Sequence, residues 1–308
     1  MTHPIIVLGA GGFIGQQLVR TLAQHGEQVV AVSRSAVQFE FANIETRIGV
    51  LREPKDFASL VANSRAVVYL ATTSTPGSSA GRPTQDVTGN LLPFAAFLEV
   101  LQDHADVELL YLSSGGALYA PAGDSMSNET MQVRPLSYHG AGKIAAEYFI
   151  SAWCDQYSRK ATIVRPSNVY GPGQPERAEF GIIPAALGKI KRSETLHVWG
   201  DGSAVRDYLY IDDLVRLMLT ILHKPTPKGA RVVNACSGVG VSLNELFDVL
   251  QDVTGVSLSC SYETSRAVDA SRVVMDPTLA KREYNFLAAT PLHEGLRRTW
   301  AWLNSTTH

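Results

Sequence analysis

The N-terminal half of the chain alternates short apolar runs with segments of helical period. Continuous apolar runs such as VVAV at 29–32 and AVVYL at 66–70 are typical of strands that helices cover on both faces. The strands predicted from these runs are Ile5–Leu8, Gln28–Ser33, Arg47–Leu51, Ala66–Ala71, Glu108–Ser113 and Thr162–Arg165. The helices predicted between them are Ile14–His25, Val87–Gln102 and Gly142–Tyr157. This alternation predicts an α/β fold with a doubly wound parallel sheet.

The character of the sequence changes after Pro166, where elements become shorter and glycine and proline more frequent, as in GPGQP at 171–175. We therefore expect a first domain of residues 1–170 and a smaller α/β substrate-binding lobe of residues 171–308. A strand at Arg231–Ala235 is predicted to rejoin the main sheet. The Ser-, Thr-, Gly- and Pro-rich stretch Thr72–Pro83 is expected to be a surface loop or a mobile flap.

Composition narrows the classes of partner. The 308 residues are 45% hydrophobic and 18% charged, which is ordinary for a globular protein. A formal net charge of −2 provides no field to attract nucleic acid or an anionic membrane, so neither is expected as a partner. The three cysteines, Cys154, Cys236 and Cys260, are far apart, so neither a disulfide framework nor a zinc site is expected. The segment Met1–Ile5 does not have the pattern of a signal peptide, and no apolar stretch reaches the ~18 residues that a membrane helix needs. We therefore expect a cytoplasmic protein.

Three glycines, Gly9, Gly12 and Gly15, lie between the first predicted strand and the first predicted helix. Glycine at such positions permits a tight turn and lets the backbone approach a pyrophosphate at the helix N-terminus, where free N–H groups favour anions. At the first strand–helix junction of an alternating chain, this spacing predicts a Rossmann-type dinucleotide-binding domain.

The end of the second strand bears on the choice between NAD and NADP. Sites specific for NAD usually place an acidic residue at its end, whereas here the sequence is Ser33-Arg34-Ser35. A guanidinium between hydroxyls suits the 2′-phosphate of NADP. The sequence at the end of this strand therefore slightly favours NADP over NAD. Alternatively, Arg34 covers the adenine face.

Further motifs carry a family resemblance that runs the length of the chain. They are LSSGGALY at 112–119, RPSNVYGPG at 165–173 and GDGSAVRDY at 200–208. With the glycine turn, these segments resemble those of the extended short-chain dehydrogenases/reductases, and most closely the NAD-dependent epimerase/dehydratase family typified by UDP-glucose 4-epimerase.

The resemblance implies a nucleotide-sugar 4-epimerase that acts on a UDP- or dTDP-sugar through a transient 4-keto sugar with bound NAD(P). Of the two dinucleotides, the resemblance to epimerases favours NAD. In this family a tyrosinate takes the proton of the sugar 4-hydroxyl while C4 gives hydride to the nicotinamide. A lysine one helical turn away lowers the pKa of the tyrosine and holds the nicotinamide ribose. An NADPH-dependent 4-ketoreductase of a 4-keto-6-deoxy nucleotide sugar is the alternative that Arg34 favours.

The resemblance also assigns residues to roles. The cofactor-binding residues it implies, with the Ser33–Ser35 segment included, are Gly9, Gly12, Phe13, Ile14, Gly15, Ser33, Arg34, Ser35, Leu70, Ala71, Thr72, Asn90, Ser113, Lys143 and Pro166. The substrate-binding residues it implies are Asn168, Arg206 and Arg266, the arginines being suited to a diphosphate.

The catalytic motif departs from the family pattern. The family has YxxxK, but the residue four before Lys143 is His139, and Tyr138 lies five before it. One residue moves a side chain ~100° around a regular helix. Tyr138 could still serve as the base if the helix has not settled before Gly140, which is the alternative we favour from the sequence. His139 could otherwise serve through a neutral imidazole. A third alternative is a catalytically silent binder of NAD(P).

The Ser or Thr hydroxyl that assists the base in the family is also missing from its usual position. The position four before Tyr119, where the family often has Ser or Thr, is Gly115, so Ser114 or Ser113 would have to supply the hydrogen bond.

A homodimer is expected from the two helices Val87–Gln102 and Gly142–Tyr157, which carry apolar residues on more than one face. One face must cover the sheet, and the surplus face suits a four-helix contact with a second copy, as the resemblance implies.

Overall fold

A computed structural model describes residues 3–119, 123, 125–176, 181–264 and 270–305. Its largest sheet has seven strands, which are β1 Ile5–Leu8, β2 Val29–Ser33, β3 Ile44–Ile48, β4 Ala66–Tyr69, β5 Glu108–Leu112, β6 Lys160–Pro166 and β10 Gly229–Ala235. Their order is β10-β6-β5-β4-β1-β2-β3, and helices flank the sheet, which is a Rossmann-type arrangement. The order reverses at β1, between β4 and β2, so the glycine turn lies at the switch point where such sheets bind ligands.

Helices α1 Phe13–Gln24, α2 Pro54–Val61, α4 Leu92–Leu101 and α6 Tyr138–Tyr157 belong to the same part of the fold as the sheet. Helix α4 continues from a short helix α3, Pro83–Asp86, through one π-helical turn, Val87–Leu91. A short helix α5, Gly115–Leu118, follows β5. The core between sheet and helices is aromatic in part, with the ring of Tyr69 against those of Phe94 and Phe97 at centroid distances of 4.9 and 5.3 Å. Burial of these large apolar side chains is the main source of stability here.

The chain divides into two compact units. Unit 1 contains residues 1–114, 137–165 and 215–233, and unit 2 contains residues 115–136, 166–214 and 234–308. The chain therefore crosses between the units several times, which a single boundary after residue 170 does not describe. The predicted strand at Arg231–Ala235 is confirmed within β10, which joins the main sheet.

The remaining elements are shorter. They are β7 Asn168–Tyr170, α7 Ile182–Arg192, β8 Leu196–Trp199, β9 Val205–Tyr210, α8 Ile211–His223, β11 Gly240–Ser242, α9 Leu243–Thr254, β12 Cys260–Glu263, β13 Arg272–Val273, α10 Thr278–Tyr284 and α11 Leu292–Ser305. Strand β9 lies at the centre of a small mixed sheet with β7, β11 and β13.

Three predicted elements differ from the structure. The helix predicted at Val87–Gln102 is α-helical only over Leu92–Leu101, because a π-helical turn at Val87–Leu91 precedes it. The third strand is Ile44–Ile48 rather than Arg47–Leu51, because Ser33 pairs with Ile48 at the sheet edge. Val50, one of the apolar residues that suggested the later range, is exposed by 56% of its surface. The helix predicted from Gly142 begins at Tyr138 instead, where the side chain of Ser137 accepts a hydrogen bond from the backbone N–H of Gly140 at 3.1 Å.

Candidate active site

The turn after β1 holds the three glycines of the motif against neighbouring backbone. Gly9 has a φ of 93°, and a β-carbon there would lie 2.8 Å from the backbone nitrogen of Ala71. A β-carbon on Gly15 would lie 2.2 Å from the carbonyl oxygen of Gly9. These two glycines are therefore required by the packing of the turn itself.

Gly12 differs from Gly9 and Gly15, because a β-carbon there would meet only the carbonyl oxygen of Gly9, at 3.3 Å. It is the N-cap of α1, which has no side-chain cap, so the first N–H groups of the helix, at Phe13 and Ile14, are left for another acceptor. Open space beside uncapped N–H groups fits the pyrophosphate of a dinucleotide.

The end of β2 lies beside this turn, since a β-carbon on Gly11 would lie 3.1 Å from Cβ of Ser33. The hydroxyl of Ser33 donates to the carbonyl oxygen of Ser35 at 2.6 Å. Arg34 and Ser35 are exposed. Arg34 is therefore accessible at the end of β2, the strand end that lies beside the glycine turn.

Three further cofactor candidates of unit 1 follow β4. Leu70 is buried, Ala71 is half-buried and Thr72 is exposed. Thr72 donates through its hydroxyl to the carbonyl oxygen of Ser74 at 3.2 Å. The candidate Pro166 is a buried residue of unit 2 at the end of β6.

Lys143 is buried on the inner face of α6. Its Nζ donates to the carbonyl oxygen of Leu112, at the end of β5, at 2.8 Å and lies 4.9 Å from the ring centroid of Tyr111. Burial lowers the pKa of this ammonium to about 8, although the carboxylates of Glu147 and Asp86 act in the opposite direction. The lysine is thus held at the carboxyl end of a central strand.

One turn further along α6, Glu147 is buried and ion-paired. It accepts bonds from Arg165 Nε at 3.1 Å and Nη2 at 2.6 Å, and from the hydroxyl of Ser113 at 2.5 Å. The proton of the Ser113 hydroxyl is therefore committed to Glu147. Of the two serines proposed to replace the family's hydroxyl, this leaves the half-buried Ser114.

The two candidate bases, Tyr138 and His139, lie at different angles around helix α6. It is regular from Tyr138 onward, so the local distortion on which the preference for Tyr138 depended is not present. Five residues correspond to a rotation of roughly 140° from Lys143, and four residues to roughly 40°. Accordingly Tyr138 is 47% exposed, whereas His139 is buried and lines the same pocket as Lys143.

His139 contacts the segment between β4 and α3. Its Nδ1 lies 3.0 Å from the hydroxyl oxygen of Ser74, and its backbone N–H donates to the hydroxyl of Ser79 at 3.1 Å. The hydroxyl of Ser74 donates in turn to the buried carboxylate of Asp86. Asn90 completes the cluster by donating to Ser74 at 2.8 Å and to Asp86 at 3.0 Å.

These side chains surround one pocket within unit 1. It is lined by Tyr69, Ala71, Thr72, Asp86, Asn90, Leu91, Phe94, Tyr111, His139, Gly142, Lys143 and Ala146. Burial, together with the charge of Lys143, lowers the pKa of His139 to about 3, so its imidazole is neutral at physiological pH.

The stretch Thr72–Pro83, expected to be a plain loop or a flap, contributes two buried side chains to this site. Ser74 and Ser79 are 8% and 2% exposed. Asp86 and Ser74 were not among the residues singled out from the sequence. Asp86 and Asn90 stand four apart, as neighbours on one helix face do, but Ser74 lies in a polar stretch that carries no such signal.

Unit 2 holds two of the substrate candidates. Asn168, in β7, donates to the carbonyl oxygen of Asp207 at 3.0 Å. Arg206, in β9, is half-buried, and its Nη1 donates to the carbonyl oxygen of Val205 at 2.9 Å. Arg266 lies outside the described residues.

The space beside Gly115 is filled by a thioether. A β-carbon on Gly115 would lie 2.3 Å from both Sδ and Cε of Met275, which is fully buried. Met275 thus lies where a Ser or Thr side chain of the family pattern would begin.

In the part of the chain that is described, no group of His, Cys, Asp and Glu side chains could hold a metal ion. The same part contains no helix long and apolar enough to span a membrane.

A family model described as the NAD dependent epimerase/dehydratase family matches residues 5–236, about three quarters of the chain. The chain belongs to this family. The glycine turn, the lysine helix and the Arg165–Gly173 segment all lie inside the matched range.

Individual relatives are distant but match over nearly their whole length. The crystal structure of a UDP-glucose 4-epimerase from Thermotoga maritima with UDP-glucose is 28% identical and has a TM-score of 0.91, with 98% of this chain and 99% of that chain covered. The structure of MoeE5 with UDP-glucuronic acid and NAD is 27% identical, with a TM-score of 0.89 and coverage of 99% and 100%. A dTDP-4-dehydro-6-deoxy-D-allose reductase from Streptomyces bikiniensis is 28% identical, covering 98% of this chain and 97% of the relative.

Proposed function

We propose that the protein is a nucleotide-sugar 4-epimerase that acts on a UDP- or dTDP-sugar with a bound nicotinamide dinucleotide. The observation that carries this proposal is the pocket at the end of β5, in which Lys143 and His139 lie one helical turn apart and buried. The relatives solved with UDP-sugars support the substrate class.

The cofactor would lie along the glycine turn, with its pyrophosphate at the N–H groups of Phe13 and Ile14. When bound, it supplies the oxidising group that takes the hydrogen from C4 of the sugar and returns it. Lys143, held at Leu112, would contact the nicotinamide ribose, as the family resemblance implies. NAD is supported by the solved relative MoeE5, whereas the exposed Arg34 supports NADP.

His139 is the base that the geometry favours over Tyr138. It occupies the position four residues before Lys143, which the family's tyrosine takes, and a neutral imidazole can accept the proton of a sugar hydroxyl. Exposed Tyr138, on the other side of the helix, would need the backbone to rearrange before it could reach the pocket.

Asn168, Arg206 and Arg266 are proposed to hold the nucleotide diphosphate and the sugar. Charge-assisted donors suit phosphate oxygens, which supports a diphosphate ligand for the two arginines. The protein is also proposed to be a homodimer of the cytoplasm. Helices α4 and α6 leave Leu92, Tyr148 and Phe149 exposed by 59%, 68% and 47%, and such a surface is suited to burial against a second copy.

The experiment is to incubate the full chain and NAD or NADP with UDP-glucose, UDP-glucuronic acid and dTDP-glucose in D₂O, and to follow the sugar protons by NMR. An epimerase produces the 4-epimer and keeps protium at C4, because the hydrogen passes to the cofactor and back. Incorporation of deuterium at C4 would contradict this mechanism.

The 4-ketoreductase is the second candidate, supported by the exposed Arg34 and by the similarity to a dTDP-4-dehydro-6-deoxy-D-allose reductase. It predicts stoichiometric consumption of NADPH with a 4-keto-6-deoxy sugar nucleotide and no epimerisation. Clear binding of dinucleotide and nucleotide sugar without either reaction would mean that the protein is a catalytically silent binder.

A further inference from the structure

The amide of Asn90 has one orientation in the cluster around His139. Its Oδ1 accepts from the backbone N–H of Thr73 at 2.7 Å and from the hydroxyl of Thr73 at 3.0 Å. Its nitrogen is thereby turned toward Ser74 and Asp86, and one N–H is available for each. Asn90 is therefore a donor to Ser74.

The hydroxyl of Ser74 has one proton and two lone pairs. Since an aspartate carboxylate can only accept, the proton of Ser74 points to Asp86. Asn90 uses one lone pair, and the contact with Nδ1 of His139 at 3.0 Å uses the other. Nδ1 must then carry a hydrogen, and the neutral imidazole has its lone pair on Nε2.

We propose that Asp86, acting through Ser74, is a positioning residue that holds His139 as the Nδ1–H tautomer and so makes Nε2 the proton acceptor of the reaction. A carboxylate has the same effect on a catalytic imidazole in serine proteases, where it fixes the tautomer and the orientation of the ring. Here a serine hydroxyl stands between the two groups. The tautomer rests on the hydrogen bonds alone, whereas the role of Nε2 as proton acceptor rests on the proposed function.

The step balances with the nicotinamide dinucleotide as oxidant. The O–H bond of the sugar hydroxyl breaks, its proton forms the Nε2–H bond on His139, and its electron pair completes the C=O bond of the ketone. The C4–H bond breaks at the same time, and its hydrogen leaves with both electrons as hydride to the dinucleotide. Return of hydride to the opposite face of the carbonyl carbon and of the proton to the carbonyl oxygen gives the epimer and restores the starting tautomer. The proton needs no other carrier.

The cluster offers a matched pair of variants for a test. Ser74→Ala removes the acceptor of the Nδ1–H group. Ser79→Ala makes the same change in the same segment, but the hydroxyl of Ser79 accepts from the backbone N–H of His139 rather than from its imidazole ring. Asp86→Ala removes the group that orients the Ser74 proton.

The first measurement is NMR of the full chain with isotopically labelled histidine near pH 7.5, without substrate, and with the His139 signal assigned by its loss in His139→Gln. We expect ¹³C and ¹⁵N shifts of the Nδ1–H tautomer in the wild type and in Ser79→Ala. In Ser74→Ala and Asp86→Ala we expect a shift toward the Nε2–H tautomer. A wild type in the Nε2–H form, or a Ser74→Ala spectrum like that of the wild type, would overturn the proposal.

The second measurement is turnover of the nucleotide sugar. Ser74→Ala should lower kcat at least ~10-fold relative to Ser79→Ala, because general-base catalysis typically contributes more than that, and should change KM much less. Equal kcat values for the two variants would also overturn the positioning role. A wild type that shows the Nδ1–H tautomer but converts no nucleotide sugar would defeat the proposed function and leave the tautomer assignment supported.

Discussion

A β-carbon on Gly142 would lie 2.3 Å from Oδ2 of Asp86. Helix α6 can therefore approach the end of α3 only because residue 142 has no side chain. Gly142, the residue before Lys143, is required by a neighbouring carboxylate rather than by the helix, in which glycine is unfavourable by about 1 kcal/mol relative to alanine.

We predict that Gly142→Ala destabilises the wild type but not a chain that also carries Asp86→Ala. With the carboxylate removed, the alanine gains its helix propensity of about 1 kcal/mol without a clash. Denaturant unfolding of the four proteins in this cycle measures the difference. Equal effects of Gly142→Ala in both backgrounds would contradict the contact.

The choice between the two candidate bases is tested by removing each in turn. His139→Phe should lower kcat by a factor on the order of 10²–10⁴, the range for loss of a general base. Tyr138→Phe is its control and should retain turnover near the wild-type value, because that phenol is exposed. The opposite pattern would restore Tyr138 as the base, and full activity in both variants would exclude both residues.

Arg34→Ala tests the preference between dinucleotides. If Arg34 binds a 2′-phosphate, NADP should lose about 1.5–3 kcal/mol of binding free energy and NAD much less, since a charged hydrogen bond is lost only for NADP. Arg47→Ala is a matched control, because Arg47 is also exposed but pairs with Glu45 at 2.6 Å. Calorimetric titration measures both affinities, and equal losses would mean that Arg34 only covers the adenine.

Stability in acid should depend on His139. Its pKa is lowered to about 3 in the folded chain, so between about 6.5 and 3 the unfolded state binds more protons. The contribution of His139 is therefore complete above pH 6.5 and is lost as the pH falls toward 3. The charged groups around the imidazole are Lys143 on its own helix and Asp86, reached through Ser74.

Comparison of the wild type with His139→Gln isolates this contribution. The free energy of unfolding, measured by urea denaturation at several pH values between 6.5 and 4, should fall more steeply with acid in the wild type. Parallel profiles for the two proteins would show that His139 is not buried in its neutral form.

The proposed homodimer is tested at the exposed face of α6. Tyr148→Glu combined with Phe149→Glu should convert a dimer to monomers at micromolar concentration, because charges would be buried in the contact. Val239→Glu, at a 60% exposed valine of unit 2, is the control. Sedimentation velocity measures the change, and a wild type that is monomeric at these concentrations would contradict the proposal.

The sheet and the glycine turn could be predicted because their signals are local. A buried parallel strand needs a continuous apolar run, and the turn at Gly9–Gly15 needs its glycines for packing. Strand β3 was misplaced since an edge strand need not be apolar, and its residues are mostly exposed.

The site was only partly predictable because its contacts join distant segments. Lys143 and His139 could be found from their spacing on one helix. The role of Ser74 could not, since its partner His139 is 65 residues away and its surroundings look like a surface loop. The preference for Tyr138 assumed an irregular helix start, but Ser137 caps a regular one.

Met275 couples the evolution of position 115 to that of position 275. With its sulfur and methyl group beside Gly115, a hydroxyl-bearing residue can enter position 115 only if the flexible end of the Met275 side chain moves aside. A smaller residue at position 275 would remove the need for that movement. The effect of a hydroxyl at position 115 on stability therefore depends on the residue at position 275, so substitutions at the two positions are not independent.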